Sequence, residues 1–314
     1  MGTDSRFGAR KLCKPHVKDS LPVILLIGAS GQVGREILKK TGKSELDAEV
    51  VPASRSSSDP TLRIELERPD SIERLIQETR PRHVILAGAA TNVSWCESHP
   101  DESLIINFHG PETVATAALR AGATLTFIST DYVFDGADGP YGETDRTNPV
   151  NVYGAHKLAA EEAVLAAAPA NLVVRTCQIF GDDPRRVNYV MRVVDQIRGG
   201  RIVEAPNDLY GTPTFAPDLA RQVLQLTLDE AKGVWHVAGD TFLSRYELAE
   251  MAAAAFRCDE GMILQVTADH MNDPVSRPKR AGLRNDRLAM ARLHHRMTPL
   301  RKALATLAAA DRDQ

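Results

Sequence analysis

A tyrosine and a lysine lie four positions apart in the stretch NVYGAHK (151–157). In a helix this spacing places both side chains on one face, where the lysine ammonium can act on the tyrosine phenol. A free tyrosine has a pKa of about 10, so proton exchange at neutral pH needs a neighbouring cation. Lys157 would be that cation for Tyr153, and it could also hydrogen-bond a cofactor ribose. The hydroxyl that holds a substrate carbonyl would come from Ser129 or Thr130, at the end of the apolar run LTFIST.

The elements that must position these residues are visible as short apolar runs that alternate with helix-period segments. Such alternation is typical of βαβ units and of a parallel sheet with helices on both faces. The runs are VILLIGA (23–29), EVVPAS (49–54), HVILAGAA (83–90), LTFIST (125–130) and NLVVRTCQIF (171–180). The sequence therefore predicts an α/β fold, a doubly wound parallel sheet of the Rossmann type, which binds ligands at the carboxyl ends of its strands.

The pattern loosens after Gly181 into helices near 188–198, 216–229 and 244–257, with a VWHVAG strand among them. This change predicts a smaller, interleaved C-terminal substrate lobe. We predict a flexible leader over 1–20, a cofactor-binding domain over 21–180 with a contribution from 209–238, and the substrate lobe over 181–208 and 239–314.

The stretch GASGQVG follows the first apolar run and opens a helix. Its glycines, Gly28, Gly31 and Gly34, permit a tight turn, a close approach to a pyrophosphate and close packing of helix on strand. The helix N-terminus then offers free N–H groups and its positive dipole end to phosphates. In this strand–turn–helix context the loop predicts a dinucleotide site.

The end of the second strand distinguishes the two nicotinamide cofactors. An acidic residue there accepts from the ribose 2′-OH of NAD, whereas this chain reads Ala53-Ser54-Arg55-Ser56. The Arg55 guanidinium and the hydroxyls beside it would suit a 2′-phosphate. We therefore expect NADP, as NADPH, in preference to NAD.

The composition excludes several classes of protein. The chain is 43% hydrophobic and 25% charged, with a net charge of -3, which is ordinary for a globular protein. No long basic block indicates a nucleic-acid or anionic-membrane surface, and no apolar run approaches a membrane span. The separated Cys13, Cys96, Cys177 and Cys258 favour reduced thiols in a cytoplasmic protein. No metal site is predicted, because His294-His295 lacks partners at ligand spacing.

Several motifs together carry a resemblance to a known family. The G-x-x-G-x-x-G loop, STDYVF, YGETD and NVYGAHKL resemble the extended short-chain dehydrogenase/reductase superfamily, and most closely its dTDP-4-dehydrorhamnose reductase branch. The likeness runs from about Val23 to Asn285, and RTCQIFG, DLYGTPTFAPDLA and VWHVAG follow in the same order and spacing. The stretch Val133-Phe134-Asp135-Gly136 also resembles the NADP-binding regulatory β subunit of methionine adenosyltransferase.

The resemblance implies a role for individual positions. Thr130 matches the catalytic threonine, Tyr153 the proton donor and Lys157 the catalytic lysine. Asn107 matches an asparagine that supports this lysine through a water. With the residues above, the expected cofactor contacts are Gly28, Ser30, Gly31, Gln32, Val33, Gly34, Ser54, Arg55, Ala89, Ala90, Thr91, Asn107, Tyr153 and Lys157. The expected substrate contacts are Asp131, Val133, Phe134, Gln178, Asn188, Thr212 and Arg280.

The chain departs from the branch where the sugar would lie. Gln178 stands where a tryptophan is expected, and the V-D-x-A-E motif reads Val93-Ser94-Trp95-Cys96-Glu97. The D-Q-x-G-x-P-T motif begins Asp208-Leu209-Tyr210, and the late R-P-x-N-S reads Arg277-Pro278-Lys279-Arg280-Ala281. The pattern indicates the same chemistry on a different sugar. Arg277, Lys279 and Arg280 could bind a diphosphate or could be a solvated run.

The resemblance implies NADPH-dependent reduction of a nucleotide-activated 4-keto-6-deoxysugar to the 4-hydroxy sugar. The expected partner is a nucleotide-sugar substrate, without nucleic acid or membrane, and a homodimer is left open. Two alternatives stand beside this reading. One is a nucleotide-sugar epimerase or dehydratase that recycles its NAD, against which Arg55 and the run Thr130-Asp131-Tyr132 argue. The other is a regulatory subunit that binds NADP and contacts a partner enzyme.

Overall fold

The computed structural model describes residues 21–41, 48–271, 274–291 and 297–312. The predicted leader, Cys13 and His294-His295 lie outside these ranges. The main sheet has six strands in the order β10-β5-β4-β3-β1-β2, and all of its pairings are parallel. Its strands are β1 (Val23–Ile27), β2 (Glu49–Ala53), β3 (His83–Leu86), β4 (Thr124–Thr130), β5 (Leu172–Thr176) and β10 (Gly233–His236).

Helices cover both faces of this sheet, as the alternation of apolar runs and helix-period segments predicts. Leu25 and Ile27 pack with one core cluster and Ile24 and Leu26 with another, because successive side chains of a strand point to opposite faces. The helices of the first face are α2 (Pro69–Thr79), α5 (Gly110–Arg120) and α6 (Val152–Ala167). Those of the second face are α1 (Gln32–Thr41) and α8 (Ala216–Leu228). The predicted doubly wound sheet is thus confirmed.

The segment from Glu102 to Ala121, between β3 and β4, is not one regular helix. It consists of α4 (Pro100–Leu104), a π-helical turn (Ile105–His109) and α5, and α3 (Val93–Ser98) precedes it. The π turn places Asn107, which is fully buried, against the loop that follows β3. Such insertions often mark functional sites.

A second group of elements packs beyond the carboxyl edge of the sheet. Phe180, Val190, Leu248 and Leu304 are members of its apolar core. Its helices are α7 (Tyr189–Arg198), α9 (Arg245–Phe256) and α11 (Leu300–Arg312), while the short α10 (Asp286–Met290) packs against β10 of the main sheet. Its short strands are β6 (Ile179–Phe180), β7 (Val203–Pro206), β8 (Tyr210–Gly211), β9 (Thr214–Phe215), β11 (Leu243–Ser244) and β12 (Ile263–Val266).

The order of the strands creates a switch point between β1 and β3. The chain leaves β1 for β2 on one side of β1, while β3 pairs on the other side. Crevices at the carboxyl ends of strands bind ligands where the strand order reverses in this way. The glycine loop and the ends of β3 and β4 therefore lie around this position.

Candidate active site

The glycine loop forms a tight cradle between β1 and the loop after β3. Gly28 has φ +95, and a Cβ atom built there would lie 2.5 Å from the backbone nitrogen of Gly88. A Cβ atom on Gly34 would lie 2.3 Å from the carbonyl oxygen of Gly28. Any side chain at these two positions would collide with backbone. Among the residues that the structure describes, a Cβ atom on Gly31 would meet only the Gly28 oxygen, at 3.2 Å, so the middle of the loop stays open for a ligand.

The end of β2 lies directly beside this loop. The backbone N–H groups of Gly28 and Ala29 donate to the carbonyl oxygen of Ala53 at 2.9 and 3.0 Å. Ser54, which follows, is buried, whereas the Arg55 side chain is 76% exposed. The Arg55 guanidinium lies 3.8 Å from the Glu67 carboxylate, a weak and solvated ion pair. The residues predicted to select the cofactor are therefore next to the cradle.

Asn107 holds the loop that follows β3. Its side-chain oxygen accepts from the Ala90 N–H and its amide donates to the Ala90 carbonyl, both at 3.0 Å. The amide also donates to the Ser103 hydroxyl at 3.2 Å. These bonds fix the backbone of the predicted cofactor contacts Ala89, Ala90 and Thr91. The structure thus shows that Asn107 holds this loop, and its support of Lys157 through a water stays a prediction.

The two hydroxyls at the end of β4 have different partners. The Thr130 side chain lies beside the Tyr153 phenol, where it counteracts the rise in the tyrosine pKa, and each of these residues is 8% exposed. Ser129 donates instead to the Glu161 carboxylate at 2.5 Å, and the same carboxylate receives the Arg175 guanidinium at 2.6 Å. Of the two candidates, Thr130 is the one that meets the tyrosine.

The Lys157 ammonium contacts the backbone and a ring of β4. Its ammonium donates to the carbonyl oxygen of Ile128 at 2.8 Å and lies 3.8 Å from the centre of the Phe127 ring. Burial lowers the pKa of Lys157 to about 7, although the Glu161 carboxylate opposes the shift. Burial also raises the pKa of Tyr153, and the Asp131 carboxylate adds to the rise. The expectation of a lowered tyrosine pKa is wrong for this state of the protein, because loss of water disfavours the phenolate.

The N-terminus of α6, which carries Tyr153, is held by residues that the sequence reasoning missed. The Asn151 side chain accepts from the Gly154 N–H at 2.9 Å and donates to the Ser276 carbonyl at 2.9 Å. The Glu97 carboxylate accepts from the Val152 N–H at 3.0 Å. An Asn directly before a helical motif is a known capping signal and could have identified Asn151.

Asp131 is a buried carboxyl at the edge of the hydroxyl pair. Thr130 donates to one of its oxygens at 3.2 Å and the Cys177 thiol donates to the other at 2.9 Å. Burial raises the pKa of Asp131, and the hydrogen bonds from these two groups counteract the rise. The carboxyl is thus satisfied inside the protein and orients Thr130.

Two predicted substrate contacts lie in the core, and two others also have structural roles. Val133 and Phe134 are fully buried in a small core cluster, where Phe134 stacks on Tyr141, so these two predictions are corrected. Asn188 caps α7 and donates to the Gly181 carbonyl, and the Thr212 hydroxyl accepts from the Leu283 N–H. Contact of Asn188 and Thr212 with a substrate stays a prediction.

The remaining predicted substrate positions lie at more open sites. Gln178 is half-buried with φ 41, and its amide lies against Gly211. Arg280 lies over the rings of Tyr210 and Phe242, at 5.0 and 5.2 Å. Lys279 forms ion pairs with two aspartates and so does not join a common anion site with Arg280. The short basic run of the sequence is therefore divided among different partners.

A second basic cluster beside the tyrosine joins Arg277 of this run to Arg192 and Arg245, which the sequence reasoning missed. Arg277 contacts the Tyr132 hydroxyl at 3.4 Å, and the Tyr132 ring meets the Tyr153 ring edge-on at 5.9 Å. Partial burial and the charges of Arg245 and Arg277 lower the pKa of Arg192. Within the described part of the chain, no carboxylate is within salt-bridge distance of Arg192 or Arg245. These arginines are far apart in sequence, so no local signal groups them.

Two searches over the described residues gave negative results. None of the helices in the described ranges is both long enough and apolar enough to span a membrane. The same ranges contain no group of three or more His, Cys, Asp or Glu side chains arranged to hold a metal ion.

Comparison with known proteins agrees with this geometry. The family model described as RmlD substrate binding domain matches residues 23–312. A dTDP-4-dehydrorhamnose reductase of Mycobacterium tuberculosis is 33% identical over 91% of this chain and 92% of that protein. The methionine adenosyltransferase 2 subunit beta of Danio rerio is 28% identical over 90% of this chain and 88% of that protein.

Solved structures show the same likeness. A dTDP-4-dehydrorhamnose reductase of Bacillus anthracis, solved in complex with NADP, superimposes with a TM-score of 0.83 at 25% identity, over 92% of this chain and 99% of that one. The family match extends from β1 to the end of α11, and the glycine cradle and the Thr130–Tyr153 pair lie within it. The chain therefore belongs to the dTDP-4-dehydrorhamnose reductase family of oxidoreductases, the family described by the RmlD substrate binding domain.

Proposed function

We propose that this protein catalyses the NADPH-dependent reduction of a nucleotide-activated 4-keto-6-deoxysugar to the 4-hydroxy sugar. The observation that carries the proposal is the adjacent, buried side chains of Thr130 and Tyr153 at the carboxyl end of β4, one strand away from the glycine cradle. A hydroxyl to hold a carbonyl and a phenol to protonate it are the two groups that such a reduction requires of the protein.

The residues present suit a nicotinamide dinucleotide. Gly28 and Gly34 allow a backbone approach that no other residue permits, and the N–H groups at the start of α1 are the phosphate donors that the fold uses. Ser54 and Arg55 would receive the ribose 2′-phosphate, and Asn107 fixes the loop that would line the adenine side. When bound, reduced nicotinamide supplies a hydride for the keto carbon.

The protein's own groups manage the oxygen and its proton. Thr130 would donate a hydrogen bond to the substrate oxygen, and Tyr153 would transfer its phenolic proton to that oxygen as negative charge develops on it. The raised pKa of Tyr153 keeps the phenol protonated at neutral pH, as a proton donor must be. Lys157 would bind the cofactor ribose next to the tyrosine and stabilise the phenolate that the transfer leaves behind.

The basic cluster of Arg192, Arg245 and Arg277 supports an anionic substrate. The Arg192 and Arg245 guanidiniums repel each other, and a bound anion such as a diphosphate would relieve that repulsion. All three belong to the segments 181–208 and 239–314, which we propose as the substrate lobe. Arg280 lies over Tyr210 and Phe242 and would face the same substrate through its exposed edge.

The test is NADPH oxidation, followed by absorbance, with a panel of dTDP-, UDP-, GDP- and CDP-4-keto-6-deoxysugars. Replacing Tyr153 by Phe removes the proton donor and should lower kcat by about 10²–10⁴-fold. Tyr246→Phe, on the outer helix α9, is the matched control and should retain the native rate. Turnover that survives Tyr153→Phe would overturn the assignment of the proton donor.

The likeness to the methionine adenosyltransferase β subunit supports a second candidate, a regulatory subunit that binds NADP. Gln178 in place of the expected tryptophan is compatible with a site that no longer accepts a sugar. Binding of NADPH without reduction of any sugar, together with a stoichiometric enzyme partner in a pull-down, would favour this candidate over the reductase.

A further inference from the structure

The loop after β2 is closed on itself beside the cofactor cradle. Ser54 and Arg63 form an isolated parallel bridge, in which the Ser54 N–H donates to the Leu62 carbonyl and the Ile64 N–H donates to the Ser54 carbonyl. The loop formed by residues 55–62 therefore begins and ends beside the carboxyl end of β2. As a consequence Arg63, eight residues after Arg55, emerges next to it.

A specific contact joins these two arginines. The Arg63 Nε group donates to the backbone oxygen of Arg55 at 3.1 Å. Arg74 braces the loop from below, since its guanidinium donates to the carbonyl oxygens of Thr61 and Arg63 at 3.3 and 3.2 Å. Arg74 is also paired with Glu78 at 2.7 Å, so its charge is already compensated.

The charge of Arg63 has no such compensation. Among the described residues, no carboxylate lies within salt-bridge distance of its guanidinium, and its side chain is exposed. Arginine has five N–H donors, and the Nε contact with Arg55 uses one of them. Four donors and a full positive charge remain beside Ser54, whose preceding residue Ala53 is bonded to the glycine loop.

From this placement we infer that Arg63 is a second residue that selects the cofactor, and that the guanidiniums of Arg63 and Arg55 together bind the 2′-phosphate of NADPH. This inference rests on the proposed use of NADPH. Arg55 alone is a poor selector, because its side chain is mobile in solvent and is partly paired with Glu67. Arg63 is tethered through Nε, so it loses less freedom on binding and offers a planar pair of donors to phosphate oxygens.

The inference is tested by titrating the full chain with NADPH and NADH and following the fluorescence of the bound nicotinamide. Arg63→Gln should weaken NADPH binding by about 10-fold or more, because a charge-assisted contact is lost. Binding of NADH should change by less than about twofold, which also shows that the variant is folded. Arg63→Lys keeps the charge without the fork and should recover part of the NADPH affinity. Arg82→Gln removes an exposed, remote guanidinium and is the control for net charge.

The outcomes separate the inference from the proposal on which it rests. If the native protein prefers NADPH and Arg55→Gln lowers that preference while Arg63→Gln leaves it unchanged, Arg63 is not a selector and the use of NADPH stands. If the native protein binds NADH as tightly as NADPH, the proposed cofactor preference and this inference both fail. Equal weakening of NADPH and NADH by Arg63→Gln would show a structural role and would also overturn the inference.

Discussion

Replacing Lys157 by methionine should make the protein more stable at pH 7 while abolishing reductase activity. Lys157 is 1% exposed, and its ammonium donates to the Ile128 carbonyl and lies over the Phe127 ring. A buried ammonium with so few partners costs stability, because water solvates it better than the protein does. Methionine has a similar length and needs no solvation. The residue would thus be retained for function at the expense of stability.

The magnitude follows from the pKa of the lysine in the folded chain. Burial lowers this pKa from 10.5 to about 7. The unfolded chain therefore binds more protons than the folded chain between these values, so stability rises with pH across this range and the full cost is present below it. At pH 7 the cost amounts to about 4 kcal/mol, and at pH 9 to about 2 kcal/mol. Leaving the Ile128 carbonyl without its donor offsets about 1–3 kcal/mol of the gain.

We expect Lys157→Met to gain roughly 2 kcal/mol at pH 7, or about 4 °C in Tm. The gain should disappear near pH 9. Thermal unfolding of native and variant protein without cofactor, at several pH values, measures both. Lys302→Met, at an exposed position of α11, is the matched control and should change stability by less than about 0.5 kcal/mol. A variant less stable than the native protein at pH 7, or a difference independent of pH, would refute the reasoning.

Three further predictions concern the cradle and the core. Gly34→Ala should abolish cofactor binding in a titration, because its Cβ atom would lie 2.3 Å from the Gly28 oxygen. Burial lowers the pKa of His236 to about 3. The unfolded chain binds a proton at this histidine before the folded chain does, so stability falls as the pH drops below about 6.5, by about 2 kcal/mol at pH 5. His236→Phe should reduce this dependence of stability on pH in acid unfolding curves. Glu161→Gln leaves Arg175 buried without its carboxylate and should cost about 3–5 kcal/mol in chemical denaturation, whereas the double variant E161L/R175M should cost less.

The scaffold could be predicted because its signals are local and repeated. Each strand of the main sheet is a short apolar run, and each run is followed by a helix-period segment, so periodicity alone gives the fold. The glycine loop could be predicted for a similar reason, since Gly28 and Gly34 answer a backbone requirement that no other residue meets. The π turn at Asn107 could not be predicted, because it changes only the hydrogen-bond pattern of a segment that has a helical sequence pattern throughout.

The site was less predictable because it depends on tertiary contacts. Helical spacing placed Lys157 and Tyr153 on one face correctly, but it carried no information about water, and loss of water sets both pKa values. Val133 and Phe134 were predicted as substrate contacts from a motif, but in the structure they are buried in a core cluster. The cluster around Arg192 combines side chains from separate segments, which a single sequence cannot group.

The distribution of charge explains how one site can serve both binding and proton transfer. Near the Thr130–Tyr153 pair, burial raises the pKa values of Tyr153 and Asp131 and lowers the pKa of Lys157. Each shift favours the uncharged form of the side chain. Positive charge is concentrated instead at Arg192 and Arg277. The proposed reduction needs a protonated phenol when the substrate arrives and a stabilised phenolate only after transfer. The raised pKa of Tyr153 meets the first requirement. Lys157, with a pKa of about 7, can take up a proton as negative charge appears beside it and so meets the second.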